Sequence, residues 1–249
     1  MNEAWDESLN LLEGARHIHV FSGAGMSADS GIATYRDAET GVWENVDPTA
    51  MASIDAWAVR PDEMWAWYLW RASLVRRAQP NAGHRALADL AQTREVSVTT
   101  QNIDDLHERG GSEDVTHLHG SLFDFRCSSC GRPWEEEPTL LDDPVPTLAP
   151  PRCPSCDGLI RPGVVWFGEA LPTREWDRAE QHMRQADAVI IVGTSGVVFP
   201  AASLPLIAVE RGIPVIEVSP AHTDLTRYVD VHLSGTSAEI LPQLVRALG

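Results

Sequence analysis

The stretch HIHVFSGAG, residues 17–25, is an apolar, β-prone run that ends in a glycine-containing turn. Three further segments repeat this pattern and a fourth is a shorter version: VSVTTQN (96–102), DAVIIVGTS (187–195), IPVIEVS (213–219) and VDVHL (229–233). Stretches with helical patterning, such as 81–92 and 200–211, separate them. Strands that alternate with helices predict an α/β fold: a doubly wound, Rossmann-like parallel sheet that binds ligands at the carboxyl ends of its strands.

Two segments interrupt this alternation. Residues 37–80 are rich in tryptophan and methionine, and residues 122–161 contain all four cysteines and an acidic, proline-rich run. We therefore predict a discontinuous Rossmann-like domain made of residues 1–36, 81–121 and 162–249. The helical insertion 37–80 and the four-cysteine module 122–161 are expected to form a smaller lobe.

The composition narrows the function classes. The chain has 249 residues and a formal net charge of -17, which argues against a nucleic-acid or anionic-membrane surface. The chain has 19 arginines and no lysine, so a phosphate-loop lysine, a Schiff-base lysine and a lysine general base are excluded. The first residues show neither a basic signal region nor a long apolar stretch. We expect a cytoplasmic protein without a membrane span. The oligomeric state stays open, with a monomer as the expectation.

The glycines of FSGAGMSADSGIATYR (21–36) suit a dinucleotide site. Gly23 and Gly25 follow a strand and would let backbone amides approach a pyrophosphate, with Ser27 and a helix N-terminus adding donors. The spacing departs from the usual fingerprint, because Ala28 stands where a third glycine is expected. No acidic residue ends the second strand, and Ser219 is the candidate replacement near the adenosine ribose. The alternative is a tight strand-to-helix turn without a ligand.

Polar residues follow two other strands. Gln101, Asn102 and Asp104 offer amides and a carboxylate, which suit sugar hydroxyls and a carboxamide. His119 precedes a glycine in THLHG, where an imidazole can act as a base near neutral pH, and His117 lies two residues earlier. Taken singly, each histidine is more often a structural imidazole than a catalytic one. Two polar strand ends at one edge of a sheet favour a site.

The cysteines form two C-x-x-C pairs, Cys127 with Cys130 and Cys153 with Cys156. This spacing is typical of a tetrahedral four-thiolate zinc site. Because four thiolates fill the coordination sphere, the site would be structural and not catalytic. The alternatives are two disulfides or four free thiols. After the second pair, RPGVVWFGEALP (161–172) contains a short β-prone run whose edge could accept an extended peptide.

Residues 64–77 predict a helix with an unusual feature. At about 100° per residue, Leu74 and Trp67 fall on an apolar arc and Ser73 falls opposite. Arg71 lies inside the apolar arc, and a guanidinium cannot lose its charge when buried, so it needs a partner. That partner is either an acidic side chain of the protein or an anionic group of the substrate.

The motifs GAGMSADSGIATYR, TQNID, HLHG, the two C-x-x-C pairs, VVWFGE and GTS, in this order, resemble the sirtuins, the NAD-dependent protein-lysine deacylases. The resemblance covers roughly residues 15–245. It implies an NAD-binding domain with a doubly wound sheet, a small lobe with one structural zinc ion, and acyl-lysine-bearing proteins or peptides as partners. His119 matches the catalytic histidine of the family, whereas His117 does not.

The resemblance also assigns the remaining site residues. NAD would contact Gly23, Ala24, Gly25, Met26, Ser27, Tyr35, Arg36, Trp43, Gln101, Asn102, Ile103, Asp104, Gly193, Thr194, Ser195, Ser219 and Ser237. The substrate peptide would lie as an added strand between Val165, Trp166, Phe167 and Gly168 on one side and Gly196 and Val197 on the other. Two positions depart from the family pattern. Tyr35 replaces a phenylalanine beside the nicotinamide, and Ser219 replaces an asparagine.

Tyr68 and Arg71 match the Tyr-x-x-Arg signature of the class III branch, which prefers negatively charged acyl groups. Arg71 would pair with the distal carboxylate of succinyl-, malonyl- or glutaryl-lysine, and Tyr68 would add a hydroxyl donor. Acetyl-lysine, which has no such carboxylate, is a further candidate substrate. Ala52 matches the small residue that widens the acyl pocket of that branch. Three alternatives remain: a plain deacetylase, a mono-ADP-ribosyltransferase, and a non-catalytic zinc-ribbon binding module on an NAD-like scaffold.

Overall fold

The computed structural model describes residues 3–32 and 51–249. The chain divides into two compact units. The first, here called the sheet unit, comprises Met1–Gly31, Gln79–Leu118 and Pro172–Gly249. The second, the cysteine unit, comprises Ile32–Ala78 and His119–Leu171. Three of the residues assigned to NAD by resemblance, Tyr35, Arg36 and Trp43, lie outside the described residues.

The sheet unit contains a six-stranded parallel sheet. Its strands are β1 His17–Ser22, β2 Glu95–Thr100, β3 Val115–His117, β6 Ala188–Val192, β7 Val215–Ser219 and β8 Val231–Ser234, in the order β3-β2-β1-β6-β7-β8. Its helices are α1 Glu3–Glu13, α2 Gly25–Ala28, α5 Ala82–Leu90, α6 Leu106–Arg109, α7 Thr173–Gln185, α8 Leu204–Glu210 and α9 Ser237–Ala247. All strand pairings in this sheet are parallel. The predicted doubly wound α/β fold is confirmed, because the strand order reverses direction between β1 and β6, as it does in Rossmann-like sheets.

Alternate residues of each strand face opposite sides of the sheet, and each side has its own core. Ile18 and Val20 of β1 pack on one side with residues of α5 and α9, such as Leu87 and Leu244. On the other side, Phe21 packs with α7 and α8. The sheet is therefore covered on both faces, and its open edge for ligands is the carboxyl end of its strands.

The cysteine unit contains two helices, α3 Ile54–Val59 and α4 Pro61–Arg77, and an antiparallel pair, β4 Gly120–Cys127 with β5 Ile160–Val164. Helix α4 begins with Pro61, which suits the first turn because its missing N–H has no intrahelical acceptor there. The predicted helix is present, and its predicted faces are wrong at two positions, Ser73 and Leu74. Residues 64–73 are buried all round, Ser73 included, whereas Leu74 is 41% exposed.

The unit boundaries differ from the predicted domain boundaries by up to ten residues. The sequence predicts that residues 162–171 belong to the Rossmann-like domain, but the structure places them in the cysteine unit. The reason is pairing: Pro162 and Val164 lie in β5, which bonds to β4 and to no strand of the parallel sheet. His119 falls in the cysteine unit for the same reason, one residue before β4.

Among the helices that the structure describes, none combines the length and the apolar composition needed to cross a membrane.

Candidate active site

The glycine loop after β1 lies beside the loop after β6, at the point where the strand order reverses. Gly193 has a φ of +58°, and a Cβ placed on it would lie 2.4 Å from the amide nitrogen of Met26. A Cβ on Gly25 would lie 2.8 Å from the Cα of Gly193. The two loops therefore pack backbone against backbone, and glycine is required on both sides.

Two amides of the glycine loop are already used in this packing. The Gly23 amide donates to the Val192 carbonyl at 3.0 Å, and the Gly25 amide donates to the Gly193 carbonyl at 2.8 Å. Both glycines thus fix the loop against β6, a role that the sequence reasoning did not foresee. A phosphate bound here would have to use other donors of the loop.

A buried polar network joins the glycine loop to the residues after β2. The Ser27 hydroxyl donates to Oδ2 of Asp104 at 2.9 Å, and Nδ2 of Asn102 donates to Oγ of Ser27 at 3.1 Å. Gln101 extends the network to the loop after β6, because its Nε2 donates to Oγ1 of Thr194 at 2.8 Å. The structure therefore brings together three groups of predicted NAD contacts: those after β1, β2 and β6.

Asp104 is the one carboxylate in this network. Burial raises the pKa of Asp104, while hydrogen bonds from the Leu106 amide and the Ser27 hydroxyl act in the opposite direction. Each oxygen has its own donor, so the side chain is fixed in orientation. A carboxyl group held in this way is suited to a ligand that presents an amide or a hydroxyl.

The serines assigned to the adenosine side have definite partners. Ser219, at the end of β7, donates to the Ala221 carbonyl at 2.6 Å and contacts Nε2 of His232 at 3.1 Å. Ser237, at the start of α9, donates to the Met26 carbonyl at 3.2 Å. Asn81 also donates to the Met26 carbonyl, at 2.8 Å, and it caps α5. Sequence reasoning missed Asn81, although an asparagine before a helical stretch is a capping signal.

The two histidines of THLHG have different surroundings. His117 ends β3 in the sheet unit, with Nε2 2.7 Å from Oε1 of Glu108 and Nδ1 3.0 Å from the Asn102 carbonyl. Both ring nitrogens are therefore engaged, which is the arrangement of a positioning residue. His119 begins the second stretch of the cysteine unit, and its carbonyl accepts from the Val165 amide at 2.8 Å.

Burial by itself would lower the pKa of His117. The hydrogen bond to Glu108, the charge of that carboxylate and the hydrogen bond to the Asn102 carbonyl outweigh burial, and the pKa of His117 is raised. Correspondingly, burial opposes and His117 favours the ionised form of Glu108, and the pKa of Glu108 is lowered. The two side chains thus form a charge-assisted pair that orders the residues after β2.

The predicted peptide-binding segment, Val165 to Gly168, is anchored inside the cysteine unit. The Phe167 amide donates to the Ala52 carbonyl at 2.7 Å, and the Ile54 amide donates to the Phe167 carbonyl at 3.1 Å. The Phe167 side chain is 52% exposed. With the Val165 amide bound to His119 and the Phe167 amide bound to Ala52, an added strand would have to use other groups of this segment.

The ring of Trp166 connects this segment to helix α4. Its Nε1 donates to the Tyr68 hydroxyl oxygen at 2.7 Å, and both side chains are almost completely buried. The Trp166 amide donates to Glu169, whose carboxylate also accepts two bonds from Arg161, at 2.6 and 2.8 Å. Sequence reasoning missed Arg161 and Glu169. Their pairing is not visible in RPGVVWFGEALP, because it depends on a turn after β5.

Arg71 lies one turn of α4 after Tyr68. It is 9% exposed, and its guanidinium carbon lies 4.9 Å from the ring centre of Trp67, a cation–π distance. Ala52 is buried in the same unit, two residues before the start of α3. The cysteine unit therefore contains the three residues of the predicted acyl pocket together with the predicted peptide-binding segment.

The four cysteines are clustered in a position to hold zinc. All four Sγ atoms lie within 4.8 Å of one another, with 3.5 Å between Cys127 and Cys156 and 3.9 Å between Cys130 and Cys153. Four thiolates at about 2.3 Å from one zinc ion would lie about 3.8 Å apart, so the set fits this metal without rearrangement. None of the four is in a disulfide. Amide hydrogen bonds from Cys130 and Ser129 lower the pKa of Cys127 to about 6, which favours the thiolate.

The two predicted peptide contacts of the sheet unit, Gly196 and Val197, follow β6. Gly196 has a φ of +73°, and a Cβ on it would lie 2.8 Å from the Leu225 side chain, so glycine is required there. Val197 follows with 45% of its surface exposed. An apolar, exposed residue after β6 is compatible with a peptide contact.

Comparison with known proteins agrees with this arrangement. The sequence model of the Sir2 family matches residues 23–200. The chain is 57% identical over 251 aligned positions to an NAD-dependent protein deacylase of Corynebacterium glutamicum, covering 100% of this chain and 97% of that protein. It is 52% identical over 231 positions to the NAD-dependent protein deacylase Sir2 of Mycolicibacterium smegmatis, covering 93% of this chain and 96% of that protein.

Solved structures with a similar fold also belong to Sir2 proteins. The fold matches a crystal structure of a Sir2 homolog–NAD complex with a TM-score of 0.89 at 43% identity, over 98% of this chain and 93% of that chain. It also matches a complex of Sir2 with a p53 peptide and NAD⁺, with a TM-score of 0.80 at 30% identity, over 99% of this chain and 98% of that chain. The match spans nearly the full length of both chains and includes both units. The chain therefore belongs to the Sir2 family, the sirtuins, as its motifs indicated.

Proposed function

We propose that this chain is an NAD-dependent protein-lysine deacylase that removes acidic acyl groups, succinyl and malonyl above all, from lysine side chains. The reaction class is supported by the family and by relatives that are named NAD-dependent protein deacylases. The acidic preference is supported by residues of the cysteine unit. The observation that carries it is the 2.7 Å hydrogen bond from Nε1 of Trp166 to the hydroxyl oxygen of Tyr68.

This bond relates the helix that bears Tyr68 and Arg71 to the segment proposed to hold the substrate. Trp166 immediately precedes Phe167, whose backbone is tied to Ala52. A peptide bound along this segment would place its acylated lysine near the face of α4 that carries Tyr68. Arg71, one turn later, would meet the distal end of a four-carbon acyl group.

A charged acyl group is selected by electrostatics. A guanidinium offers several N–H donors in a fixed plane and can bind a carboxylate through two of them. The Tyr68 hydroxyl oxygen accepts from Trp166, and a phenol hydroxyl is also a donor by its chemistry. An acetyl group offers neither charge nor length for these contacts. The proposed preference follows from that difference.

The cofactor site is proposed in the sheet unit. Asn102, Asp104 and Ser27 form a buried set of donors and acceptors beside the glycine loop, which fits the ribose and carboxamide of NAD. When bound, NAD supplies an electrophilic ribose carbon with nicotinamide as the leaving group. His119 is proposed as the general base that accepts a proton at its imidazole from a ribose hydroxyl. Cys127, Cys130, Cys153 and Cys156 would hold a zinc ion that links β4 and β5 to the cysteine loops, and four thiolates would leave it no open position for chemistry.

The test is an NAD-dependent assay over a panel of acyl-lysine peptides of one sequence, bearing succinyl, malonyl, glutaryl or acetyl groups. We expect the kcat/KM for succinyl or malonyl peptides to exceed the kcat/KM for the acetyl peptide. Equal or higher values for acetyl-lysine would identify a plain deacetylase. Transfer of label from NAD to protein without deacylation would instead identify a mono-ADP-ribosyltransferase. Absence of nicotinamide release with every peptide would indicate a non-catalytic scaffold.

A further inference from the structure

Strand β1 has an unusual pair of residues on the face that packs against α7. Two of its residues on that face, His17 and His19, are histidines, whereas Ile18 and Val20 on the opposite face join an apolar core. His19 is completely buried. A third histidine, His182 of α7, stacks on His19 with ring centres 5.3 Å apart and planes 6° from parallel. The three side chains are here called the histidine trio.

The ring nitrogens of the histidine trio lie close enough together to suit a metal ion. One ring nitrogen from each residue can be chosen so that all lie within 4.8 Å of one another. Three imidazole nitrogens on one tetrahedral ion lie about 3.3 Å apart at metal–nitrogen distances of about 2.0–2.1 Å. The nitrogens would therefore have to approach one another by up to about 1.5 Å, a change that side-chain torsions of His17 and the partly exposed His182 can supply.

A second observation points to a ligand. Nε2 of the buried His19 has no hydrogen-bond partner among the residues that the structure describes. Its other nitrogen, Nδ1, lies 2.8 Å from Oγ of Ser97. The same Oγ lies 2.8 Å from Nε2 of His17. If Ser97 accepts from an N–H of both rings, then Nε2 of His19 and Nδ1 of His17 carry the lone pairs that a metal requires. A hydroxyl or carboxylate that fixes the tautomer of a ligating histidine in this way is usual in metal sites.

A carboxylate near the histidine trio can offset part of the charge of a bound cation. Oδ2 of Asp114 lies 3.7 Å from Nε2 of His182, while Oδ1 of the same carboxylate bonds to Arg178 at 2.5 Å. One carboxylate oxygen is thus close enough to offset part of the charge of a cation.

We propose that the histidine trio is a second metal site, distinct from the cysteine cluster, that binds a divalent transition-metal ion such as Zn²⁺, Ni²⁺ or Co²⁺. Imidazole ligands suit these ions and do not suit Mg²⁺ or Ca²⁺. All residues of this site belong to the sheet unit, whereas the four cysteines belong to the cysteine unit. The ion would cross-link β1 to α7 and so stabilise the covering of the sheet on that face.

The test begins with protein whose cysteine site is filled, verified as one equivalent of zinc by metal analysis. Titration with Ni²⁺ or Co²⁺ is followed by calorimetry and by absorption. We expect one further equivalent to bind, and bound Co²⁺ to lack the thiolate charge-transfer band of a cysteine site. His182→Gln and His17→Gln should each weaken this binding at least about tenfold. His222→Gln, an exposed histidine outside the trio, is the matched control and should leave it unchanged.

A measurement on the wild-type protein protects the test against misfolded variants. Paramagnetic Ni²⁺ or Co²⁺ should broaden the imidazole NMR signals of the histidine trio before those of His222, and the added ion should raise the Tm. The proposal is overturned if no further equivalent binds. It is also overturned if the further equivalent binds equally to His182→Gln, or if it broadens His222 first, because the ion then sits elsewhere on the surface.

Discussion

Trp166 donates its indole N–H to the hydroxyl oxygen of Tyr68 at 2.7 Å, in a part of the cysteine unit from which solvent is excluded. Tyr68→Phe would leave this N–H without its acceptor. An unsatisfied buried donor costs about 1–3 kcal/mol, and we expect the free energy of unfolding to fall by that amount. Urea unfolding measures it. Tyr228→Phe, at a 41% exposed position, is the control and should change stability by less than about 0.5 kcal/mol. Equal effects of the two substitutions would contradict the assigned bond.

Arg71→Met separates the substrate role of Arg71 from a structural one. A hydrogen bond to a charged group contributes about 1.5–3 kcal/mol, so the ratio of succinyl to acetyl kcat/KM should fall roughly 10- to 150-fold. Arg76→Met is the matched control, because Arg76 lies on the exposed side of the same helix, stacked on Phe123. It should leave the ratio unchanged. If Arg71→Met lowers both activities in parallel, Arg71 supports only the fold of the cysteine unit.

His119→Ala should bind NAD normally but turn over about 10²–10⁴-fold more slowly, the usual contribution of a positioned general base. His117→Ala should retain more activity, because both nitrogens of His117 are held by Glu108 and the Asn102 carbonyl. NAD binding by calorimetry and single-turnover kinetics distinguish the two effects. If His117→Ala is the inactive variant and His119→Ala turns over normally, the base has been assigned to the wrong imidazole.

The His117–Glu108 pair predicts a pH dependence of stability. The pKa of His117 is raised in the folded state above its ordinary value of 6.5. Its stabilisation is therefore fully present below pH 6.5 and is lost as the pH rises through the folded-state pKa. We expect the difference in unfolding free energy between wild type and His117→Gln to shrink over this range.

Urea unfolding at a series of pH values between about 6 and 9 measures this difference. Glu108→Gln removes the other partner and should abolish the same pH-dependent component. A difference between wild type and His117→Gln that stays constant across the range would show that the pair does not titrate as proposed.

Cys153→Ser should remove the zinc ion and unfold the cysteine unit together, because metal-binding energy in such sites is largely folding energy. Metal analysis and near-UV circular dichroism record the two losses. Ser128→Ala is the control: it lies next to Cys127 but its hydroxyl bonds to the Leu159 carbonyl, away from the thiolates. Folded, active protein without zinc would refute the structural role of the metal.

The parallel sheet was predictable because each of its longer strands is a β-branched run followed by small or polar residues. The cluster of four cysteines was predictable because the spacing of two C-x-x-C pairs restricts the possible geometries. Helix α4 shows where prediction from the sequence alone fails. A helical wheel assumes one buried arc, but Leu74 is exposed and Ser73 is buried, because β4 and β5 of the same unit also pack against α4.

The other contacts that the sequence did not predict join residues that are distant along the chain or are separated by a turn. Arg161 bonds to Glu169 across a turn, and the amide of Gly25 bonds to the carbonyl of Gly193, 168 positions away. No local pattern encodes such contacts. The glycines were recognised as necessary, but the reason that the sequence suggested was approach to a ligand, whereas the structure adds close approach to another loop.

The pairing of β1 with β6 has a consequence for synthesis of the chain. Ile18 pairs with Ala188, so the central strand of the sheet is made 170 residues before its neighbour. At about 5–20 residues per second, a ribosome needs on the order of 10–30 s to supply β6. During that interval one edge of β1 emerges without its permanent neighbour, and such edges invite pairing with other chains. The nascent protein thus passes through a period in which its own fold does not yet protect this edge of its central strand.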